Sequence, residues 1–207
     1  MTSHSLEQLD VSRETIERLR TYHDLLLKWT SAINLISRST VSDAWDRHIV
    51  DSAQLFKLLP PNATMLVDIG SGGGLPGLVL AIMALEQRPR LQTILIESDQ
   101  RKATFLRAVV RDLSLNAEVR AVRIESVTDI ACDVVTARAL APLPELLPFA
   151  KALMKPEGVA LFQKGKGAGE ELTSARQKWK FEVEIHPSLT DPDGRILEIK
   201  DIARADQ

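Results

Sequence analysis

The chain has 207 residues, 44% of them hydrophobic, and sets 26 basic against 28 acidic residues for a net charge of −2. That length suits one α/β domain with a modest extension; no apolar run approaches the roughly 20 residues a bilayer span needs; a single cysteine, Cys132, excludes a disulfide framework and a zinc ribbon. The four histidines stand singly, none paired with another at metal-ligand spacing, so a cytoplasmic monomer without metal or membrane attachment is expected, and any nucleic-acid binding must rest on a local patch.

The opening "MTSHSLEQLD" has no basic-then-apolar pattern of a secretion signal and reads as a short tail. From Glu14 to Leu35, apolar residues at Ile16, Leu19, Tyr22, Leu26, Trp29 and Ile33 keep helical spacing, with Ser12 placed to cap them. A second helix is predicted from about Ser42 to Leu59, with Trp45, Ile49, Ala53 and Phe56 on its apolar face. Arg47, His48, Asp51 and Ser52 form a polar stripe on another face, since positions four apart lie one above the other. Residues 1–60 are therefore expected to form an N-terminal helical extension, and 61–207 the main domain.

After Pro60-Pro61 short apolar runs alternate with helical ones. Strands are predicted at 65–69, 93–97, 119–123, 133–137 and 158–164, with helices at 76–86, 100–113, 144–154 and 169–179 between or after them. Two further strands, 181–186 and 195–200, flank the turn "TDPDG". The alternation implies parallel βαβ units ending in an antiparallel pair: a Rossmann-like, doubly wound sheet of seven strands with the last antiparallel. Ligands of such sheets bind at the carboxyl ends of the strands.

One such end carries "LVDIGSGGGLPG", Leu66 to Gly77. Gly72, Gly74 and Gly77 formally satisfy the dinucleotide spacing G-x-G-x-x-G, whereas Gly70, Gly72 and Gly74 give G-x-G-x-G starting directly after the strand. The second register is favoured. Gly72 comes two residues late for a dinucleotide glycine, and Pro76 suits an early helical position. Asp68 at the strand end would repel a pyrophosphate but suit an ammonium or sulfonium, and S-adenosylmethionine carries both cations and no phosphate. Glu97, at the tip of the next strand, is placed to accept the ribose hydroxyls of an adenosine; Ile124 and Glu125, after the third strand, are placed to border its adenine.

Four stretches, "VDIGSGGGLPGLVLAI", "RHIVDSAQL", "DVVTARALAPLPELLPFAKALMKPEG" and "FQKG", together resemble the RsmG (GidB) family, the ribosomal RNA small subunit methyltransferase G. The resemblance runs from Trp29 to about Lys200. It implies a class I S-adenosylmethionine-dependent methyltransferase domain with an N-terminal helical extension, methylating N7 of guanosine 527 in 16S rRNA, free or within the small ribosomal subunit. By matching position it implies cofactor contacts at Gly70, Leu75, Ile124, Glu125 and Arg138. Where many members have Ser-Arg-Ala-Phe, this chain has Ala137-Arg138-Ala139-Leu140; where many have Leu-Lys-Gly it has Gln163-Lys164-Gly165.

Guanine N7 already has an in-plane lone pair, so its methylation requires positioning rather than a general base. The chain accordingly shows no Ser-His-Asp or cysteine-based constellation. The product ring is cationic, and Asp51 is a candidate to stabilise it, the competing reading of its stripe being a helix-packing network; Arg138 is the other candidate catalytic residue. In A-form RNA, N7 faces a groove too narrow for side chains, so the target must lie in a loop or be flipped out. Phosphate partners are sought in Arg47 and His48 of the extension, in Arg101, Lys102, Arg107 and Arg111 on one helix, and above all in Lys164 and Lys166. The alternatives are methylation of another RNA site or of a small molecule, or binding without turnover.

Overall fold

The structure, a computed structural model, describes residues 11–206; the short N-terminal tail expected from sequence lies outside them. Helix α1 (Arg13–Thr30) starts where Ser12 accepts the amide of Thr15 through its side chain. It stops five residues earlier than its apolar spacing suggests. The hydroxyls of Thr30 and Ser31 donate back to the carbonyls of Leu26 and Lys28, both at 2.7 Å, competing with continued helix. Leu35 thereby leaves the helix and lies against the glycine turn.

The second helical segment is composite. A π turn (Trp45–Val50) leads into the short α2 (Asp51–Ala53) and a 3₁₀ turn (Gln54–Leu58). Its register is therefore not that of one regular helix. Arg47, His48 and Asp51 still face one site, but Ser52 is fully buried and does not join the polar stripe.

The seven strands are β1 (Met65–Ile69), β2 (Gln92–Ile96), β3 (Ala117–Arg120), β4 (Cys132–Arg138), β5 (Met154–Lys164), β6 (Trp179–Pro187) and β7 (Arg195–Arg204). Their order is β3-β2-β1-β4-β5-β7-β6. The pairs from β3 to β5 are parallel, and β7 runs antiparallel to both its neighbours. Strand order reverses between β1 and β4, which opens a crevice above their carboxyl ends. β3 ends at Arg120, not 123, because β2, its one partner, ends at Ile96 opposite. Val122 and Arg123 are freed to reach that crevice.

Helices α3 (Gly77–Gln87), α4 (Gln100–Asp112), α5 (Leu143–Leu153) and α6 (Ala168–Arg176) cover the sheet. Side-chain alternation sorts β1 between two apolar layers: Leu66 joins α1, α3 and α4, while Val67 and Ile69 join α5. Leu19, Tyr22 and Leu26 of α1 share the first layer with Leu78, Leu95 and Phe105, so the extension and the sheet have a continuous core. No helix among the described residues is long and apolar enough to cross a membrane.

Candidate active site

The glycine turn leaves β1 at Gly70 and reaches α3 through a cis Leu75–Pro76 peptide. Gly70 has φ +64°, and a Cβ there would lie 2.4 Å from Leu140 Cδ1. Gly72 has φ +56°, but a Cβ on it would meet nothing closer than 3.8 Å; it fronts open space. Gly77 lies in α3 with Asp68 and Leu95 pressed against its Cα, so it serves close helix–strand packing. The turn belongs to the Gly70-Gly72-Gly74 register.

That open space is a cavity of about 780 Å³. Gly70, Gly72 and Leu75 form one side, Glu97 and Lys102 another, and Ile124 and Glu125 a third. Glu97 Oε2 accepts the amide of Gly72 and Oε1 that of Asp99, both at 2.8 Å. The carboxylate braces the turn and keeps further lone pairs for a ligand's hydroxyls. A site that joins an open backbone cradle to a carboxylate can hold a nucleoside through its hydroxyls.

Two sequence expectations are corrected here. Asp68 does not line the cavity. Strand parity turns it to the side of Leu66, where it is fully buried against Gly77 and accepts the Thr136 hydroxyl at 2.8 Å. Gly74 does not line it either; its φ of +89° makes the turn, and Leu78 fills the place of a Cβ. Leu35, Val122 and Leu140 do line it. Sequence reading missed them because each lies outside regular structure, where apolar periodicity carries no signal.

A second cavity, of about 430 Å³, adjoins the first. The two share the segment Arg138 to Ala141 as a wall. Asp51 is the hub of the second cavity. Its Oδ1 accepts from Gln54, Ser188 and Thr190 at 2.8, 3.1 and 2.9 Å, and its Oδ2 from Gln163 at 2.7 Å and Arg138 at 3.3 Å. With five donors around it, the carboxylate orders four chain segments and is not a free base. Gln54, Gln163, Ser188 and Thr190 were not foreseen, since the last two come from the "TDPDG" region, which the antiparallel return of β7 brings to this edge.

Arg138 ties the sheet to the extension. Its Nη1 donates to the Arg47 carbonyl at 3.0 Å, and its Nη2 meets His48 Nδ1 at 2.8 Å. The His48 tautomer follows from the circuit. Thr40 donates its hydroxyl proton to the Ser37 carbonyl, so it accepts from His48 Nε2; Nδ1 is then the acceptor that the arginine needs. Burial, then the Arg138 cation, push His48 down from 6.5 to about 4.

The folded chain therefore binds this proton less readily than the unfolded chain. His48 contributes fully to stability above about pH 6.5, and that contribution is lost as pH falls towards 4. Asp68 has the opposite slope: burial raises it from 3.8 to about 6, so its contribution falls as pH rises through that window. In urea unfolding, the stability gap between wild type and His48→Gln should widen from pH 4 to 6.5; a gap independent of pH would show that His48 titrates as a free imidazole.

Of the expected phosphate partners, Lys164 lines the second cavity but already has a partner. Its side chain is 9% exposed and pairs with Glu171 at 2.8 Å, because β5 delivers it beneath the shared wall. Arg101 is exposed beside Asp99, away from both cavities, and Lys102 faces the larger cavity. Arg107 and Arg111 lie exposed on α4, and Arg111 pairs with Asp112 at 2.8 Å. Arg47 lines the second cavity and is exposed, and Lys166 is exposed two residues beyond Lys164. One group among the described residues, Glu184, His186 and Glu198, brings ligand atoms within 4.8 Å of one another; the Lys200 ammonium already pairs with Glu198 there at 2.7 Å.

The strand order, the antiparallel seventh strand and the glycine turn at the switch point define a class I S-adenosylmethionine-dependent methyltransferase fold. An S-adenosylmethionine-dependent methyltransferase from Aquifex aeolicus superposes with a TM-score of 0.58 over 77% of this chain and 93% of that one, at 14% identity. The ribosomal protein L11 methylase from Lactobacillus delbrueckii subsp. bulgaricus gives 0.58 over 74% and 78%, at 12% identity. The chain belongs to the rRNA small subunit methyltransferase G (GidB) family, whose model matches residues 15–197. The Ribosomal RNA small subunit methyltransferase G of Cereibacter sphaeroides (strain ATCC 17029 / ATH 2.4.9) is 51% identical over 203 residues, 98% of each chain. That of Rhodospirillum centenum is 52% identical over 193 residues, 93% of this chain and 87% of its own.

Proposed function

We propose that this protein methylates N7 of guanosine 527 in 16S rRNA, with S-adenosylmethionine as donor. The observation that carries the reading is the pair of adjoining cavities. One is built on the glycine turn, the other is polar with Arg47 at its mouth, and they are separated only by the wall from Arg138 to Ala141.

S-adenosylmethionine would supply the methyl group from a sulfonium. Gly70, Gly72 and Leu75 offer its backbone cradle, Glu97 accepts its ribose hydroxyls, and Ile124 and Glu125 border its adenine. The rest of the task is geometric. N7 presents its own lone pair, so no side chain needs to remove a proton, and the saturated hydrogen bonding of Asp51 suits that demand. Arg138 and His48 hold the extension against the wall, fixing the depth to which a flipped base enters.

Mass mapping of N7-methylguanosine in 16S rRNA from a strain lacking this protein tests the assignment. The modification at position 527 should vanish and return on complementation; its persistence would overturn the reading. Exposed cations at the second cavity (Arg47) and next to its lining residue Gly165 (Lys166) should grip phosphate. Replacing Arg47 and Lys166 by Ala should flatten the log–log salt dependence of RNA binding by roughly 0.7–0.9 for each lost contact, with cofactor affinity unchanged. A wild-type slope would move the RNA footprint to α4.

A further inference from the structure

The wall between the two cavities is not self-supporting. Ala139 has φ +52°, a left-handed conformation that a non-glycine residue holds only when its surroundings impose it. On the cofactor side, Leu140 lies against Gly70. On the other side, Lys164 Nζ donates to the Ala141 carbonyl at 2.6 Å and pairs with Glu171, and the same Glu171 oxygen accepts the Leu143 amide at 2.6 Å. One half-buried ion pair thus grips a carbonyl and an amide two residues apart, on the segment that divides the cavities. Such a pair adds little stability in itself, and both side chains also line the second cavity. We infer that Lys164 and Glu171 are a positioning pair that sets the shape of the partition between cofactor and acceptor base, and that Lys164 is not a phosphate ligand.

This rests on the proposed function for its activity readout but has a second readout that does not. Lys164→Met and Glu171→Ala are compared with wild type for turnover on small ribosomal subunits from the deletion strain, for the salt slope of RNA binding, and for hydrogen exchange of the peptide spanning 139–147. Each variant should lower kcat at least tenfold with KM for the subunit changed less than threefold. The salt slope should stay at its wild-type value, and exchange should quicken in both. The double variant should fall less than threefold below the worse single variant, because the two residues act on one target. Glu171→Gln keeps an acceptor for both Lys164 and Leu143 and should retain most of the activity; it also serves where a harsher variant melts below the assay temperature.

A phosphate-binding lysine predicts the reverse: Lys164→Met flattens the salt slope, and Glu171→Ala, by freeing the ammonium, tightens RNA binding. Either result, or wild-type kcat and exchange in Glu171→Ala, overturns the inference. Absence of turnover in wild type would instead count against the proposed function, while the exchange data would still decide the role of the pair.

Discussion

Gly72→Val is expected to abolish cofactor binding in a chain that still folds. The φ of +56° at Gly72 costs a β-branched residue roughly 1–3 kcal/mol of strain, borne at a half-buried position of the turn, where a side chain meets no core atom. The new side chain would stand in the open space in front of the turn, since nothing but the Gly70 carbonyl at 3.8 Å is near. It would also crowd the amide that donates to Glu97. Calorimetric titration with S-adenosylmethionine should show at least a 100-fold loss of affinity, about 2.7 kcal/mol, with a cooperative melt retained. Wild-type affinity in the folded variant would make the turn purely structural. Tight binding of NAD by the wild type would favour the dinucleotide register instead.

Arg138→Ala should cost on the order of 100-fold in methyl transfer, about 2.7 kcal/mol of transition-state stabilisation. The guanidinium contacts His48, the Arg47 carbonyl and Asp51 at once, and lies on the wall both cavities share. Its loss leaves a half-buried imidazole acceptor without its donor and loosens the extension beside the second cavity. Arg138→Lys should not restore the rate, because one ammonium cannot reproduce a planar fork serving several acceptors. Single-turnover assays with saturating cofactor separate this effect from binding; wild-type rates in Arg138→Ala would remove the residue from the site.

Much of this was legible in the order of residues. The helices and strands of the sheet were visible because burial on one or both faces imposes a period that sequence displays directly. The spacing of Gly70, Gly72 and Gly74 after an apolar run located the turn, and Glu97 was legible because a residue at a strand tip in a parallel sheet faces the ligand crevice. The misplaced residues share a cause. Asp68 was assigned to the cavity from its position at a strand end, but its face is set by parity with Leu66 and by the helix that packs over it. Lys164 does line the second cavity, but its partner, Glu171, was missed because it comes from the next helix, at a spacing no local pattern marks.

By itself, the sequence determined the α/β class, the glycine turn and the family to which the chain belongs, since each of these is written in local periodicity or in a contiguous motif. Tertiary structure alone decided the second cavity. Asp51 from the extension, Arg138 from β4, Gln163 from β5 and Thr190 from the β6–β7 turn meet only when an antiparallel last strand returns its turn to the carboxyl edge of the sheet. The physical reason is that hydrogen bonds and ion pairs act over about 3 Å, and residues 87 to 139 positions apart come within that reach only through packing of the whole chain.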